Sequence, residues 1–179
     1  GPFSIIVLDD RSTDRSLEVA NKMAGKVSNL RVLTQPHQGR AKTRNRMLEL
    51  ADTDLVAWLD GDDLAAPCWL ADQIGYLRYH PDCVAVGGQG YSMTAKGHAI
   101  GPIAHPLDGA EIDERHLSGE ANAFFQSCVL VRKKAVLAAG GYDERYPCAE
   151  DYSLWLRLAE IGQLANLSAC HLCYRVHAT

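Results

Sequence analysis

The segment Leu55-Val56-Ala57-Trp58-Leu59-Asp60-Gly61-Asp62-Asp63 joins an apolar run to three carboxylates around one glycine. The apolar run, bounded by Asp54 and Gly61, predicts a buried strand, because a helix would need a longer run. The carboxylates then follow the carboxyl end of the strand, which is where ligands bind in open α/β sheets. If the backbone stays extended, Asp60 and Asp62 share one side and Asp63 points away.

This acidic segment predicts a cation site. Mg²⁺ and Mn²⁺ prefer oxygen ligands, and Mg²⁺ is commonly held by one or two carboxylates together with the phosphates of a substrate. We therefore assign metal binding to Asp62. The alternative is an acidic turn that caps the next helix, around Pro67, and we assign that role to Asp63.

The composition is that of an ordinary globular chain, with 179 residues, 47% hydrophobic residues and a formal net charge of -4. This length suits one compact domain with a substantial core. No apolar segment approaches the roughly 20 residues of a membrane span, and no basic leader is visible, so we expect neither a transmembrane helix nor a signal peptide. The slight acidity argues against a nucleic-acid partner, which would normally require a basic excess.

The cysteines are scattered through apolar surroundings, which predicts reduced, buried thiols in a cytoplasmic protein and not a disulfide framework. Cys170-His171-Leu172-Cys173 is a C-x-x-C motif, but a zinc site needs a second pair, and none has suitable spacing. We interpret this motif as structural, with zinc or redox use as the alternative. The six cysteines are Cys68, Cys83, Cys128, Cys148, Cys170 and Cys173.

A second apolar run, from Phe3 to Leu8, closes in Asp9 and Asp10 and predicts another strand. A helix follows, with Asp14 in a position typical of N-terminal capping. A strand end followed directly by a helix is where nucleotides bind in doubly wound folds. Asp9 and Asp10 are therefore candidates to accept hydrogen bonds from a base N–H or a ribose hydroxyl.

The next elements are a strand over Leu30–Thr34 and a helix from Gly39 to Ala51 that carries several cations. A solvated basic face is the default interpretation of such a helix. The functional alternative is that Arg44 and Asn45 turn toward the diphosphate edge of the acidic site.

The middle of the chain predicts a helix over Pro67–Tyr79 and a strand over Cys83–Gly90. From Tyr91 to about Ala121 periodicity is weak, which indicates a functional loop with a hairpin at His98–Ile103 as an option. The histidines of this segment match no ligand spacing, so we expect them on the loop surface. They are His98, His105 and His116.

The last third predicts a strand over Phe124–Val131 and a short helix, Lys133 to Ala139, that ends at two glycines. Glu150 and Asp151 open a further helix, where acids are favoured by the helix dipole, so these residues alone indicate a structural role. A strand over Cys170–His177 closes the pattern.

Six motifs occur in order along nearly the whole chain, and together they are similar to those of the family 2 glycosyltransferases. They are Asp9-Asp10-x-Ser12-Thr13-Asp14; Gly39 with Arg44-Asn45; Leu59-Asp60-Gly61-Asp62-Asp63; Gly140-Gly141-Tyr142-Asp143; Glu150-Asp151-Tyr152-x-Leu154-Trp155-Leu156-Arg157; and Tyr174-Arg175-Val176-His177.

This resemblance implies an α/β protein of GT-A type, a Rossmann-like α/β/α sandwich with a mostly parallel central sheet. It implies one glycosyltransferase domain over residues 1–179, with a nucleotide-sugar-binding half at 1–90 and an acceptor and catalytic half at 91–179. The activity implied is inverting transfer of a sugar from a nucleotide-diphosphate sugar, with Mn²⁺ or Mg²⁺ as cofactor.

Site roles follow from the same resemblance. Asp10, or Asp9 beside it, would contact the nucleotide base, and Asp60 would lie near the ribose. Asp62 would hold the metal against the diphosphate, and His177 would complete the metal shell.

The implied catalytic base is Asp151, with Glu150 as the reserve candidate. Inverting transfer needs a carboxylate to take a proton from the acceptor hydroxyl and a Lewis acid to neutralise the departing diphosphate. The residue types agree with these two roles, and no covalent nucleophile is required.

The expected partners are a UDP-sugar donor and a carbohydrate or lipid-linked acceptor, in polysaccharide or glycoconjugate synthesis. The location implied is cytoplasmic, with a peripheral position at the inner face of the membrane as an option. Family members usually begin with a further strand and helix, so we expect an N-terminally truncated domain whose exposed strand edge could form a homodimer. The rival functions are a catalytically silent nucleotide-sugar-binding domain and, ranked lower, a nucleotidyltransferase.

Overall fold

The computed structural model describes residues 3–119 and 121–177. The chain divides into two compact units. The first comprises Gly1–Asp52 and Tyr142–Glu150, and the second comprises Thr53–Gly141 and Asp151–Thr179.

The first unit is built on a parallel pair of strands joined by a helix. Strand β1 pairs with β2 in a register that runs from Ile5 opposite Leu30 to Asp9 opposite Thr34. The strand predicted over Leu30–Thr34 is confirmed to the residue. The four elements are β1 (Ile5–Asp9), α1 (Ser16–Ala24), β2 (Leu30–Thr34) and α2 (Arg40–Leu50).

The second unit contains most of the remaining elements, and helix α6 begins on Glu150, the last residue of the first unit. Its elements are β3 (Leu55–Trp58), β4 (Leu64–Ala65), α3 (Trp69–Tyr79), β5 (Cys83–Met93), β6 (Ala99–Ile103), α4 (Gly109–Ser118), β7 (Val129–Arg132), α5 (Lys133–Ala138), α6 (Glu150–Ala159) and β8 (Gln163–Arg175). The predicted division at residue 90 falls inside β5, and the two functional halves stay a prediction.

The sheet of the second unit has the strand order β3-β7-β5-β8-β4, with β6 paired to β5. The α/β class is confirmed, but this sheet is mixed and not mostly parallel. Strands β5 and β8 run parallel, whereas the β3–β7, β5–β7, β4–β8 and β5–β6 pairs are antiparallel. Strand β6 forms a hairpin with β5, so the hairpin considered at His98–Ile103 is present. The two strands are antiparallel, as two strands joined by a short loop must be.

One part of the core of the second unit lies where Leu77 of α3 packs against buried residues of β5, β7 and β8, and helix α6 contributes further buried residues. Leu154, Trp155 and Leu158 of α6 are fully buried, and their helical spacing puts them on one face of the helix. The Trp155 ring packs 5.4 Å from the ring of Phe124. The strand predicted over Phe124–Val131 starts only at Val129, because the residues before it fill the core without pairing as a strand.

The loop predicted from Tyr91 to about Ala121 contains helix α4 within its described residues. Asp108 caps this helix by accepting a hydrogen bond from the Glu111 N–H at 3.0 Å, and Gly119 ends it at φ 72°. Only Ile112 and His116 of α4 are buried, so its apolar periodicity is weak. His116 therefore lies in the interior, and both ring nitrogens of His105 are buried as well, so the placement of these two histidines on a loop surface was wrong.

The cysteines are free thiols, as predicted, but not all are buried. Cys83 and Cys128 lie in the core, whereas Cys68, Cys148 and Cys170 are exposed. Burial raises the pKa of the Cys83 thiol to about 11 and that of the Cys128 thiol to about 12, so both stay protonated at neutral pH.

Candidate active site

The acidic segment after β3 forms a tight turn. The Asp63 N–H donates to the Asp60 carbonyl at 3.2 Å, and the Asp60 N–H donates to the Ser127 hydroxyl at 3.1 Å. These two hydrogen bonds hold the backbone that carries Asp60 and Asp62, the carboxylates predicted to contact the sugar donor. Ser127 is a site residue that no sequence motif indicated.

The structure brings His177 to Asp62. His177 Nε2 lies 2.7 Å from Asp62 Oδ2, and the two side chains are 60% and 49% exposed. Two ligands in adjacent positions of an octahedral Mg²⁺ shell lie about 2.9 Å apart, given metal–oxygen distances of about 2.1 Å. The pair is hydrogen-bonded as it stands, and both groups could hold a divalent cation: the carboxylate suits Mg²⁺ or Mn²⁺, whereas the imidazole nitrogen suits a transition metal such as Mn²⁺ better than Mg²⁺.

Asp63 does not cap the following helix, so that prediction was wrong. Its side chain is buried, and Oδ1 accepts a hydrogen bond from the Arg175 N–H at 2.8 Å. Burial is the main cause that raises the pKa of Asp63 above its usual range, and the neighbouring Asp60 and Asp62 charges act in the same direction. Asp63 therefore fixes the end of β8 to the acidic turn.

Arg175 was missed as a site residue, although it lies within the last quoted motif. Its Nε donates to the Asp62 carbonyl at 2.6 Å, and Nη1 donates to the Ala95 carbonyl at 2.9 Å. The Arg175 guanidinium thus holds the backbone of the proposed metal ligand to the β5–β6 turn. The sequence feature that could have indicated Arg175 is its position two residues before His177.

In the first unit, Asp9 and Asp10 accept hydrogen bonds from the loops that follow β1 and β2. Asp9 accepts the Ser12 N–H at 3.2 Å. Asp10 accepts Gln35 Nε2 at 2.8 Å and the N–H groups of Gln38 and Gly39. Burial raises the pKa of Asp10, but these hydrogen bonds outweigh it and leave the pKa below its ordinary value.

Arg44 and Asn45 hold the segment that carries Glu150. Arg44 Nη1 pairs with Glu150 Oε1, and the two side chains are only 13% and 3% exposed. Asn45 Nδ2 donates to the Tyr142 carbonyl at 2.8 Å, while Asn45 Oδ1 accepts the Tyr142 N–H at 2.7 Å. These contacts give both residues a positioning role, and their contact with a diphosphate stays a prediction.

Asp151, the predicted base, is half-buried at the start of α6. Its Oδ1 accepts the Tyr152 N–H at 2.7 Å, as a residue in a first helical turn can. Its Oδ2 accepts Asn122 Nδ2 at 3.3 Å. The carboxylate is therefore oriented from two sides and keeps lone pairs for an acceptor hydroxyl.

A membrane-crossing helix is absent from the described part of the chain, where no helix has the length and apolar character that crossing requires.

Comparison with known proteins identifies the class. The model of glycosyl transferase family 2 matches residues 1–138, and that of glycosyltransferase like family 2 matches residues 118–179. The chain belongs to glycosyl transferase family 2. The amylovoran biosynthesis glycosyltransferase AmsE of Erwinia amylovora is 31% identical over 165 residues, which cover 91% of this chain and 60% of AmsE. The chain thus spans little more than half of that relative.

Solved structures confirm the GT-A fold. S. aureus TarS 1-349, in complex with UDP-GlcNAc, superposes with a TM-score of 0.76 at 19% identity, over 99% of this chain and 50% of that one. The mannosyltransferase PcManGT from Pyrobaculum calidifontis, in complex with GDP-Man and Mn²⁺, gives a TM-score of 0.69 at 16% identity, over 94% and 46%.

Proposed function

We propose that this chain carries out inverting transfer of a sugar from a UDP-sugar to an acceptor hydroxyl, assisted by a divalent metal. The observation that carries the proposal is the pairing of Asp62 with His177, which are far apart in sequence but whose donor atoms lie 2.7 Å apart at the surface. An exposed pair of this kind adds little to stability, and both side chains reach solvent, where a cation could meet them. A cation site is the arrangement that its donor atoms fit.

In this proposal Asp62 and His177 hold Mn²⁺ or Mg²⁺, and Asp60 lies near the ribose. The bound metal would neutralise charge that develops on the departing diphosphate. Asp63 and Arg175 fix the position of Asp62 without touching the donor. Asp10, or Asp9, contacts the base.

Asp151 is the proposed base. As the acceptor oxygen attacks the anomeric carbon, its proton passes to the Asp151 carboxylate and the bond from that carbon to the diphosphate oxygen breaks. Glu150 is less suited, because it is 2% exposed and already paired with Arg44. We therefore assign Glu150 to positioning.

The choice of UDP as the nucleotide is supported by the structures of TarS in complex with UDP and with UDP-GlcNAc. The amylovoran relative supports polysaccharide synthesis as the setting. This proposal has three further parts, each open to its own test. They are a carbohydrate or lipid-linked acceptor, a position at the inner face of a membrane, and a homodimer.

The proposal is tested by hydrolysis of UDP-sugars in the presence of Mn²⁺, with water as acceptor, followed by proton NMR of the newly released sugar. We expect the anomer opposite to that of the donor. Asp151→Asn should abolish release and still bind UDP, whereas the exposed control Glu114→Gln should behave as wild type. Release with retained configuration, or full activity of Asp151→Asn, would contradict the mechanism. UDP-sugar binding without release by the wild type would indicate the silent domain.

A further inference from the structure

A second group of metal-ligating side chains lies in the second unit, separate from Asp62 and His177. The ligand atoms of Cys68, Asp72 and His171 all lie within 4.8 Å of one another. Ligand atoms of a tetrahedral Zn²⁺ are separated by about 3.3 to 3.7 Å, given metal–ligand distances of about 2.0 to 2.3 Å. We propose that Cys68, Asp72 and His171 form a binding site for a borderline-soft divalent cation of the Zn²⁺ class.

The two elements that supply these ligands are firmly placed. Cys68 and Asp72 are four residues apart at the start of α3, where the Asp72 N–H donates to the Cys68 carbonyl at 3.0 Å, so their side chains share one face of the helix. His171 lies on β8, and its carbonyl accepts the Ala66 N–H at 2.8 Å. The connection that leads into α3 is thus tied to the strand that carries the imidazole.

One of the three side chains is buried and the other two reach solvent, as in an open three-ligand metal site. The His171 ring is fully buried, with Nε2 only 3.1 Å from Asp72 Oδ2. Asp72 keeps 39% of its side chain exposed, and Cys68 is exposed. A cation can therefore enter from solvent, meet a fixed imidazole and keep a water as its fourth ligand.

The donor set at this cluster suits a cation. A bound cation would compensate the charges of both a Cys68 thiolate and the Asp72 carboxylate. Sulfur as a ligand selects Zn²⁺ over Mg²⁺, which sets this site apart from the proposed Mn²⁺ or Mg²⁺ site.

Binding requires two proton movements. The Cys68 thiol proton leaves to the buffer. In the metal-free protein Gln73 Nε2 faces His171 Nδ1 at 3.4 Å, and the Gln73 oxygen accepts Trp69 Nε1 at 2.8 Å, so Nδ1 is an acceptor and the ring hydrogen is on Nε2. On binding, that hydrogen moves to Nδ1, and the long contact with Gln73 is given up.

Cobalt titration tests the site directly. We expect Co²⁺ added to the reduced wild-type chain to give a thiolate-to-cobalt absorption band and tetrahedral visible bands, both displaced by Zn²⁺. Cys68→Ala should lose the thiolate band, and Asp72→Asn should weaken Zn²⁺ binding by about tenfold or more. Both residues are exposed, so unchanged thermal unfolding of the metal-free variants will show that they fold.

Two matched controls separate this site from its neighbours. Cys170→Ala removes another exposed thiol, and Asp62→Ala removes the other proposed cation site, and both should keep the full spectrum. Absence of a thiolate band in the wild type, or its survival in Cys68→Ala, would overturn the proposal. Because the readout needs no nucleotide or sugar, it does not depend on the proposed transferase activity.

Discussion

His177 Nε2 lies 2.7 Å from Asp62 Oδ2, although 115 positions separate the two residues in the chain. The Arg175 N–H and side chain hold Asp63 and the Asp62 carbonyl. The end of β8 is therefore attached to the acidic turn through both backbone and side-chain contacts. This attachment places the His177 imidazole next to the Asp62 carboxylate at the surface.

The Arg175 contacts predict that this side chain supports metal binding without being a ligand. Arg175→Ala should weaken Mn²⁺-dependent UDP binding by about 10- to 100-fold, as loss of outer-shell partners does at other metal sites. Arg175→Lys should not restore it, because Nε and Nη1 reach the Asp62 and Ala95 carbonyls from two separate positions on a rigid planar group, which the compact ammonium of lysine does not reproduce. Calorimetric titration provides the measurement, with the exposed Arg78→Ala as control. Wild-type affinity in Arg175→Ala would show that Asp62 needs no such support.

The buried Arg44–Glu150 ion pair predicts a large loss of stability when one partner is removed. Arg44→Ala should lower the free energy of unfolding by about 3 to 5 kcal/mol, because Glu150 is left charged and buried. The exposed Arg15–Glu18 pair gives a matched control, and Arg15→Ala should leave the free energy of unfolding close to that of the wild type. Urea unfolding of both variants makes the comparison. Equal effects of the two substitutions would refute the assignment of Arg44 to structure.

Replacing glycine by alanine should have opposite effects on stability at two positions. Gly75 lies inside α3 with nothing within 4 Å of an added Cβ, so Gly75→Ala should stabilise the protein by about 0.5 to 1 kcal/mol. At Gly162 an added Cβ would lie 2.7 Å from the Asp82 carbonyl and 2.5 Å from Val84 Cγ1, so Gly162→Ala should destabilise by about 1 to 3 kcal/mol. Chemical denaturation measures both, and a shared sign would contradict this packing.

The burial of the His105 ring predicts that the protein loses stability on mild acidification. Burial is the main cause that lowers the pKa of His105 to about 4, and Arg115 and His116 add positive charge nearby. Neither ring nitrogen has a hydrogen-bond partner among the described residues. Between the ordinary pKa of about 6.5 and pH 4 the unfolded chain binds the extra proton, so stability falls as the pH is lowered through this window.

The measurement is the melting temperature between pH 7 and pH 4. His105→Phe should reduce the decline, because an aromatic ring in this place keeps the edge contact that His105 makes with Phe125, with ring centroids 4.3 Å apart. The exposed His98→Gln should leave the decline as in wild type. A profile unchanged by His105→Phe would place the acid sensitivity elsewhere.

The sequence predicted those elements whose signal is local. Strand β2 follows from its apolar run and lies where it was predicted, and helix α6 begins at Glu150, one of the two acids predicted to open it. Helix α4 was missed because only two of its residues are buried, so its pattern is mostly capping and charge. The mixed sheet could not be foreseen, because strand direction depends on long-range pairings such as that of β3 with β7.

The candidate site shows the same limit. Asp62, Asp151 and His177 were predicted because their motifs resemble those of a family. Asp63 was assigned to a helix cap from its local sequence. Its partner in the structure, the Arg175 N–H, is 112 positions away, and no local pattern could indicate it. Ser127 carries no motif at all, and its contact with the Asp60 N–H exists only in the folded chain.

The most direct test of the account is calorimetric titration of UDP and of GDP, each with and without Mn²⁺, into the wild-type chain and into Asp62→Ala. We predict UDP binding that requires Mn²⁺ and is lost in Asp62→Ala, while the exposed control Asp52→Ala binds as wild type does. UDP binding that is indifferent to Mn²⁺ and to Asp62→Ala would contradict the metal-assisted donor site.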